Sequence, residues 1–291
     1  MTATPTATAR PAVQSGEIRL GDAVQVTRLG YGAMQLTGPG VWGPPADHDN
    51  AIRVLRRAVE LGVNLIDTAD AYGPYVNEEL IREALHPYDG LVIATKAGKL
   101  RTGPGEWPAC GRPEYLRQQA EMSLRRLGVE RIDLFQLHAV DPAVPAADQF
   151  GTLADLRSEG KVGLVGLSNV TAEQLADATA IVDVATVQNR YNLTDRSSDE
   201  VLRMCTERGI GFIPWRPISS GELAKPGGVV HDIAQGLDVT SAQVALAWLL
   251  QRSSIMLPIP GTASLSHLEE NVAAAGLKLD LGTVATLDDV A

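Results

Sequence analysis

The sequence predicts an α/β protein of the (β/α)8 barrel type, and three observations carry that prediction. Eight short apolar runs, each bounded by Gly, Asp or Pro, recur along the chain. Amphipathic stretches of ten to fifteen residues separate most of them. The first run opens no Gly-rich dinucleotide turn, because GPGVWGPP at 38–45 is not G-x-G-x-x-G and leads into no helix. Alternating strands and helices imply a parallel sheet with right-handed crossovers. Eight units in about 260 residues suit a closed barrel better than an open doubly wound sheet.

The elements follow in order. Residues 1–16 are rich in Thr, Ala and Pro and read as a disordered tail without the apolar core of a signal peptide. EIRL-GD-AVQVT at 17–27 reads as a hairpin that closes the bottom of the barrel. The barrel runs are 28–34, 64–69, 91–96, 132–139, 161–168, 184–192, 210–217 and 254–261. Helices are expected over 50–62, opening at Asn50 and stopping at Gly62, and over 113–128, with Pro113 near its start. Further helices fall at 198–209, 240–252 and 264–276, each opened by Ser or Thr. No domain boundary is visible after residue 16, so 17–291 is expected to form a single domain.

Composition excludes several classes. Lys plus Arg is 25 and Asp plus Glu is 35, a net charge of −10, which argues against nucleic acid and anionic membranes as partners. No run approaches the ~20 apolar residues of a membrane span. Two cysteines cannot form a disulfide framework, and the chain reads as cytoplasmic. The five histidines have no paired ligand spacing, so no metal site is expected. Neither a phosphate-binding P-loop nor a nucleophile elbow occurs. Oligomeric state leaves no mark in the sequence.

Barrel chemistry sits at the C-terminal ends of the strands. Successive runs bring Asp67, Asp70 and Tyr72, then Lys96, His138, Ser168 with Asn169, Gln188, and Trp215 with Arg216 to those ends. Taken alone, a strand-end lysine is usually a solvated charge, and a histidine beside Leu137 a satisfied core residue. Taken together, Asp, Tyr, Lys and His on three consecutive strand ends form an acid–base set. A phenol near pKa ~10 is a poor acid at neutral pH, and an adjacent ammonium lowers that value. Lys96 could act so on Tyr72, Asp67 could hold Lys96, and His138 could donate to a carbonyl oxygen. Such a set delivers a proton to a carbonyl oxygen as charge develops there, with hydride supplied by a cofactor.

IDTADAYG (66–73), ATK (94–96), DLFQLH (133–138), GLSNV (166–170), VQNRYN (187–192) and PGTASLSHLEEN (260–271) resemble the aldo-keto reductase superfamily from about residue 17 onward. The resemblance implies Asp67, Tyr72, Lys96 and His138 as the catalytic set, with Tyr72 as general acid. It implies Ser168, Asn169 and Gln188 as the hold on a nicotinamide carboxamide, and Trp215 as the stacking ring in place of the usual Tyr. Gly32, Ala33, Met34, Asp67, Arg216, Pro217 and Ile218 would line the cofactor cleft. Arg216 would either approach the pyrophosphate or be a surface charge. Gly261, Thr262, Ser264 and His267 stand where NADPH-preferring relatives often carry Lys and Arg for the 2′-phosphate, and Glu270 with Asn271 would meet the adenine. NADPH is the expected cofactor, with weak discrimination against NADH.

Met34, Trp42, Tyr72, Tyr75, Trp107 and His138 could wall a pocket for a flat or apolar carbonyl compound. The short C-terminal end suits an open pocket. At subgroup level, 28–45 and 72–85 are similar to bacterial pyridoxal-reductase-like members, although a sugar or polyketide ketone fits the same framework. Two other readings stay open: a cofactor-binding redox sensor or regulatory subunit, and an NAD-linked alcohol or aldose dehydrogenase.

Overall fold

The computed structural model describes residues 10–21, 24–218 and 227–290. The strands are β1 (Glu17–Leu20), β2 (Val24–Thr27), β3 (Tyr31–Gly32), β4 (Leu65–Asp67), β5 (Val92–Ala97), β6 (Ile132–Leu137), β7 (Val162–Ser168), β8 (Val184–Arg190) and β9 (Gly211–Trp215). The helices are α1 (His48–Glu60), α2 (Val76–Leu85), α3 (Pro113–Leu127), α4 (Ala146–Ser158), α5 (Ala172–Thr179), α6 (Asp199–Arg208), α7 (Val229–Gly236), α8 (Ser241–Arg252), α9 (Leu265–Ala273) and α10 (Leu281–Asp288).

Strands β3 to β9 pair in parallel and in chain order, the barrel topology that the alternation predicts. The eighth run does not become a ladder strand. Pro258 and Pro260 have no N–H to donate. The segment closes the curl through three main-chain hydrogen bonds instead: Phe212 to Ile255 O at 2.9 Å, Leu257 to Phe212 O at 2.8 Å, and Gly30 to Pro258 O at 3.0 Å.

The barrel interior is packed with side chains from several strands and the last run, among them Leu65, Val92, Ala94, Leu134, Ile213, Leu257 and Ile259. Leu20 and Val26 of the hairpin join this cluster, so β1–β2 plugs the N-terminal end. Leu20 pairs with Val24, which leaves three connecting residues rather than a two-residue turn, and Asp22 of that turn lies outside the described residues. Arg28 ties the hairpin's exit to the end of α8, donating to Leu250 O at 2.6 Å and also to Ser253 O.

Part of the expected tail is built. Pro11–Ser15 is a 3-10 turn, Ala12 is buried and its N–H bonds to Leu61 O at 3.0 Å. Residues 1–9 lie outside the described residues. Helix α1 begins at His48 rather than Asn50, because the Asp47 side chain accepts from the Asn50 N–H at 2.8 Å and is the cap. Gly128 and Gly209 end α3 and α6, both in the left-handed region that favours glycine. Helix α8 carries the capping box of Thr240 with Gln243.

Candidate active site

Register places the polar residues in one layer at the C-terminal rim. Gly32 pairs with Asp67, Asp67 with Ala94, Lys96 with Gln136, and Ser168 with Gln188. His138 follows the last residue of β6, and Trp215 ends β9. A parallel barrel turns equivalent strand positions toward one mouth, which is why residues far apart in sequence converge.

Lys96 is fully buried, and its Nζ donates to Asp67 Oδ1 at 2.6 Å, to Thr68 O at 2.8 Å and to Tyr72 Oη at 3.4 Å. The other Asp67 oxygen accepts from Gln188 Nε2 at 2.8 Å and Gln136 Nε2 at 3.1 Å. Burial works against the ammonium, but Asp67 and the Tyr72 hydroxyl outweigh it and hold Lys96 above its ordinary pKa.

The phenol differs from the sequence expectation. Burial pushes Tyr72 above its ordinary pKa, and Asp67 and Asp70 add to the rise. Lys96 opposes this and does not overcome it. The free protein thus holds a protonated phenol against a buried cation.

His138 is driven well below its ordinary pKa, by burial first and then by Lys96, Lys99 and Arg101. Its imidazole is neutral at pH 7, and its buried Nδ1 has no partner among the described residues. The Tyr72, His138 and Trp107 rings meet edge-on, with centroids 6.0 Å apart for Tyr72–His138 and 6.2 Å for each pair with Trp107.

A cleft of about 350 Å³ runs from these groups across the rim. Gly32, Met34, Asp67, Tyr72, Gln188, Trp215, Arg216, Pro217, Ile218 and Gly261 line it, as do Gln35, Ile259 and Pro260, which sequence reasoning did not single out. A Cβ on Gly32 would lie 2.7 Å from Ile259 O, and one on Gly261 would lie 2.6 Å from Gly32 O, so this wall admits no side chain at either position. Ala33 is buried behind the wall, where its carbonyl accepts from Asn77 Nδ2 at 2.9 Å.

Asn169, at a φ of 57°, links three strand ends. Its Nδ2 donates to His138 O and to Ser168 Oγ, each at 2.9 Å, while its Oδ1 accepts from Trp215 Nε1 at 3.0 Å.

At the far end, the Thr262 carbonyl accepts from Tyr31 Oη at 2.6 Å, and Ser264 caps α9. His267 and Glu270 are exposed, whereas Asn271 is buried on the inner side of α9. Helices α1 and α9 run side by side: Asn50 Nδ2 donates to Ala263 O at 2.7 Å, and Arg57 pairs with Glu269 at 2.8 Å. Arg53 lies between those two contacts along α1, touches Asn50 Oδ1 at 3.5 Å and has no carboxylate partner among the described residues.

Of the six expected pocket residues, Met34 and Tyr72 line this cleft, Trp107 and His138 border Tyr72 without lining the cleft, and Tyr75 and Trp42 sit elsewhere. Tyr75, in the left-handed region at φ 71°, stacks under Arg126 and lines a separate cavity of about 190 Å³ with Asp70, Lys99 and Tyr115. Trp42 is exposed and rests against Arg101 rather than the cleft. Gln136 lies inside DLFQLH without standing out there; its register with Lys96 and its hydrogen bond to Asp67 mark it.

The fold and rim together define a barrel oxidoreductase of carbonyl–alcohol chemistry. The chain belongs to the aldo/keto reductase family, whose model matches residues 28–291. It is 51% identical over 289 residues to uncharacterized oxidoreductase C215.11c of Schizosaccharomyces pombe, covering 99% of this chain and 94% of that one. It is 44% identical over 272 residues to pyridoxine 4-dehydrogenase of Escherichia coli, covering 91% and 95%. An aldo/keto reductase of Klebsiella pneumoniae, solved with NADP and acetate, superposes with a TM-score of 0.78 at 25% identity, covering 94% of each chain.

Proposed function

We propose that the protein is an NADPH-dependent reductase that converts an aldehyde or ketone to an alcohol, with Tyr72 as proton donor and a flat aromatic aldehyde of the pyridoxal kind as substrate. The observation that carries the reading is the buried Lys96–Asp67 pair set against a protonated Tyr72, with a neutral His138 beside it.

Each residue has a stated task. Tyr72 holds the proton to be delivered to the carbonyl oxygen. Lys96 stabilises the phenolate as that proton leaves, which costs no reorganisation because the ammonium is already in place. Asp67 fixes Lys96, and the two glutamine amides fix Asp67. Neutral His138 donates one N–H to the same carbonyl oxygen and orients it. The rim rings exclude water from the reacting atoms.

The nicotinamide cofactor, when bound, supplies the hydride. The long cleft beside Tyr72, the unsubstituted Gly32–Gly261 wall and the Trp215 ring at its edge fit such a group. Ser168, Asn169 and Gln188 would face its carboxamide, and Thr262, Ser264 and His267 its 2′-phosphate. Arg53 beside that segment offers the cation that the segment itself lacks. The NADP complex of the Klebsiella pneumoniae relative supports this choice, and the Escherichia coli relative's name supports the pyridoxal class.

The test follows NADPH oxidation with pyridoxal in the wild type and in Tyr72→Phe. Turnover by the wild type, with a loss of about 10²-fold or more in the variant at unchanged NADPH affinity, is the expected result. Near-wild-type reduction by Tyr72→Phe would overturn the mechanism. Turnover of other carbonyls but not pyridoxal would overturn only the substrate.

A further inference from the structure

Arg101 lies in the loop after β5, and its guanidinium uses every N–H it has on main-chain carbonyls. Nε donates to Glu106 O at 3.0 Å, Nη1 to Val41 O at 2.7 Å and Ala71 O at 2.6 Å, and Nη2 to Gly40 O at 2.8 Å and Gly103 O at 3.5 Å. Those acceptors belong to three different loops, the ones after β3, β4 and β5. Only a planar five-donor fork can span such a set. Because its donors are taken, Arg101 has none left for an anionic substrate, and its contribution is positional.

What it positions is Trp107. The guanidinium carbon sits 3.7 Å from the Trp107 ring centroid and 5.6 Å from that of Trp42. Trp107 in turn borders both Tyr72 and His138. An indole backed by a tethered cation is a rigid, flat wall. Free of the tether, the same indole would have to be ordered by each substrate at an entropic cost.

We propose that Arg101 is a positioning residue for substrate choice: it clamps three loops and locks Trp107 as a flat wall beside the proton donor, so that the site favours planar aromatic carbonyls over aliphatic ones. The proposal rests on the reductase reading of the same site.

Its test uses full-length Arg101→Gln, Arg101→Lys and Trp107→Ala, with pyridine-4-carbaldehyde and propanal as substrates. In Arg101→Gln, the ratio of kcat/KM for the aromatic to the aliphatic aldehyde should fall about tenfold, a difference of about 1.4 kcal/mol. The loss should be carried by KM, as expected when binding common to ground and transition states is removed. Trp107→Ala should reproduce the split, and Arg101→Lys should not restore it, because an ammonium has three donors and no plane. Amide exchange at 39–43 and 102–107 should quicken in Arg101→Gln while NADPH affinity, followed by tryptophan quenching, stays put. Equal losses for both aldehydes, or unchanged exchange in those two segments, would overturn the proposal. If the wild type reduces neither aldehyde, the reductase reading fails, and the exchange result still decides whether Arg101 clamps the loops.

Discussion

Lys96 and Asp67 lie on adjacent strands with 2.6 Å between Nζ and Oδ1, and both side chains are buried. Removing the charge of one partner leaves the other buried without compensation. Asp67→Asn should therefore lower unfolding free energy by about 3–5 kcal/mol, measured by urea denaturation, and should cut turnover through a displaced Lys96. Glu207→Gln is the contrast, since Glu207 pairs with Arg203 at the surface and exposed pairs are worth at most about 1 kcal/mol. Equal costs for the two changes would refute the buried-pair account.

His138 predicts a pH dependence of stability. Its folded pKa is depressed, chiefly by burial. Below about pH 6.5 the unfolded chain binds a proton on this imidazole that the folded chain refuses. Stability is therefore lost as pH falls below that value, by up to about 1.4 kcal/mol per unit from this group. Wild type should lose stability relative to His138→Gln between pH 7 and pH 5. Parallel curves for the two proteins would show that His138 titrates normally.

The glycine wall predicts a steric effect. The atoms that a Cβ on Gly32 or Gly261 would meet are main-chain carbonyl oxygens, which cannot swing aside. Gly261→Ala should cost about 1–3 kcal/mol by overpacking and should weaken NADPH binding by opening the cleft. A Gly236→Ala control has nothing within 4 Å of the added carbon and sits in α7, where alanine is favoured. A Gly261→Ala protein as stable as wild type would mean that the wall yields.

Much of this architecture was legible because a buried parallel strand must be a short apolar run with punctuated ends. The polar residues Asp67, Lys96, His138, Ser168 and Gln188 stood out because they interrupt or follow such runs. What the sequence hid depends on distance in space. The run at 254–261 looked like its neighbours, yet its prolines withhold the donors a ladder needs. Asn50 and Asp47 are both good caps, and only backbone geometry chooses between them. The Tyr72 shift has the opposite sign to the pairwise argument because burial, invisible to spacing, exceeds the effect of Lys96. Arg101 carried no signal at all, since its partners are carbonyls of loops up to 61 residues away.

The last prediction concerns cofactor choice. Segment 261–267 has no Lys or Arg, and a candidate cation comes from another element. Arg53 sits on the face of α1 that bonds to Ala263 through Asn50 and to Glu269 through Arg57. A single exposed cation beside a phosphate contributes a few tenths to about 1 kcal/mol, enough for a fivefold preference at most. NADPH and NADH affinities, measured by tryptophan quenching, should therefore differ modestly in the wild type. Arg53→Gln should weaken NADPH alone, by about two- to fivefold, with the gap widest at low salt because exposed charges are screened at high ionic strength. An equal loss for both cofactors would mean that Arg53 acts through the α1–α9 contact. No loss for either would leave the 2′-phosphate to the hydroxyls of Thr262 and Ser264.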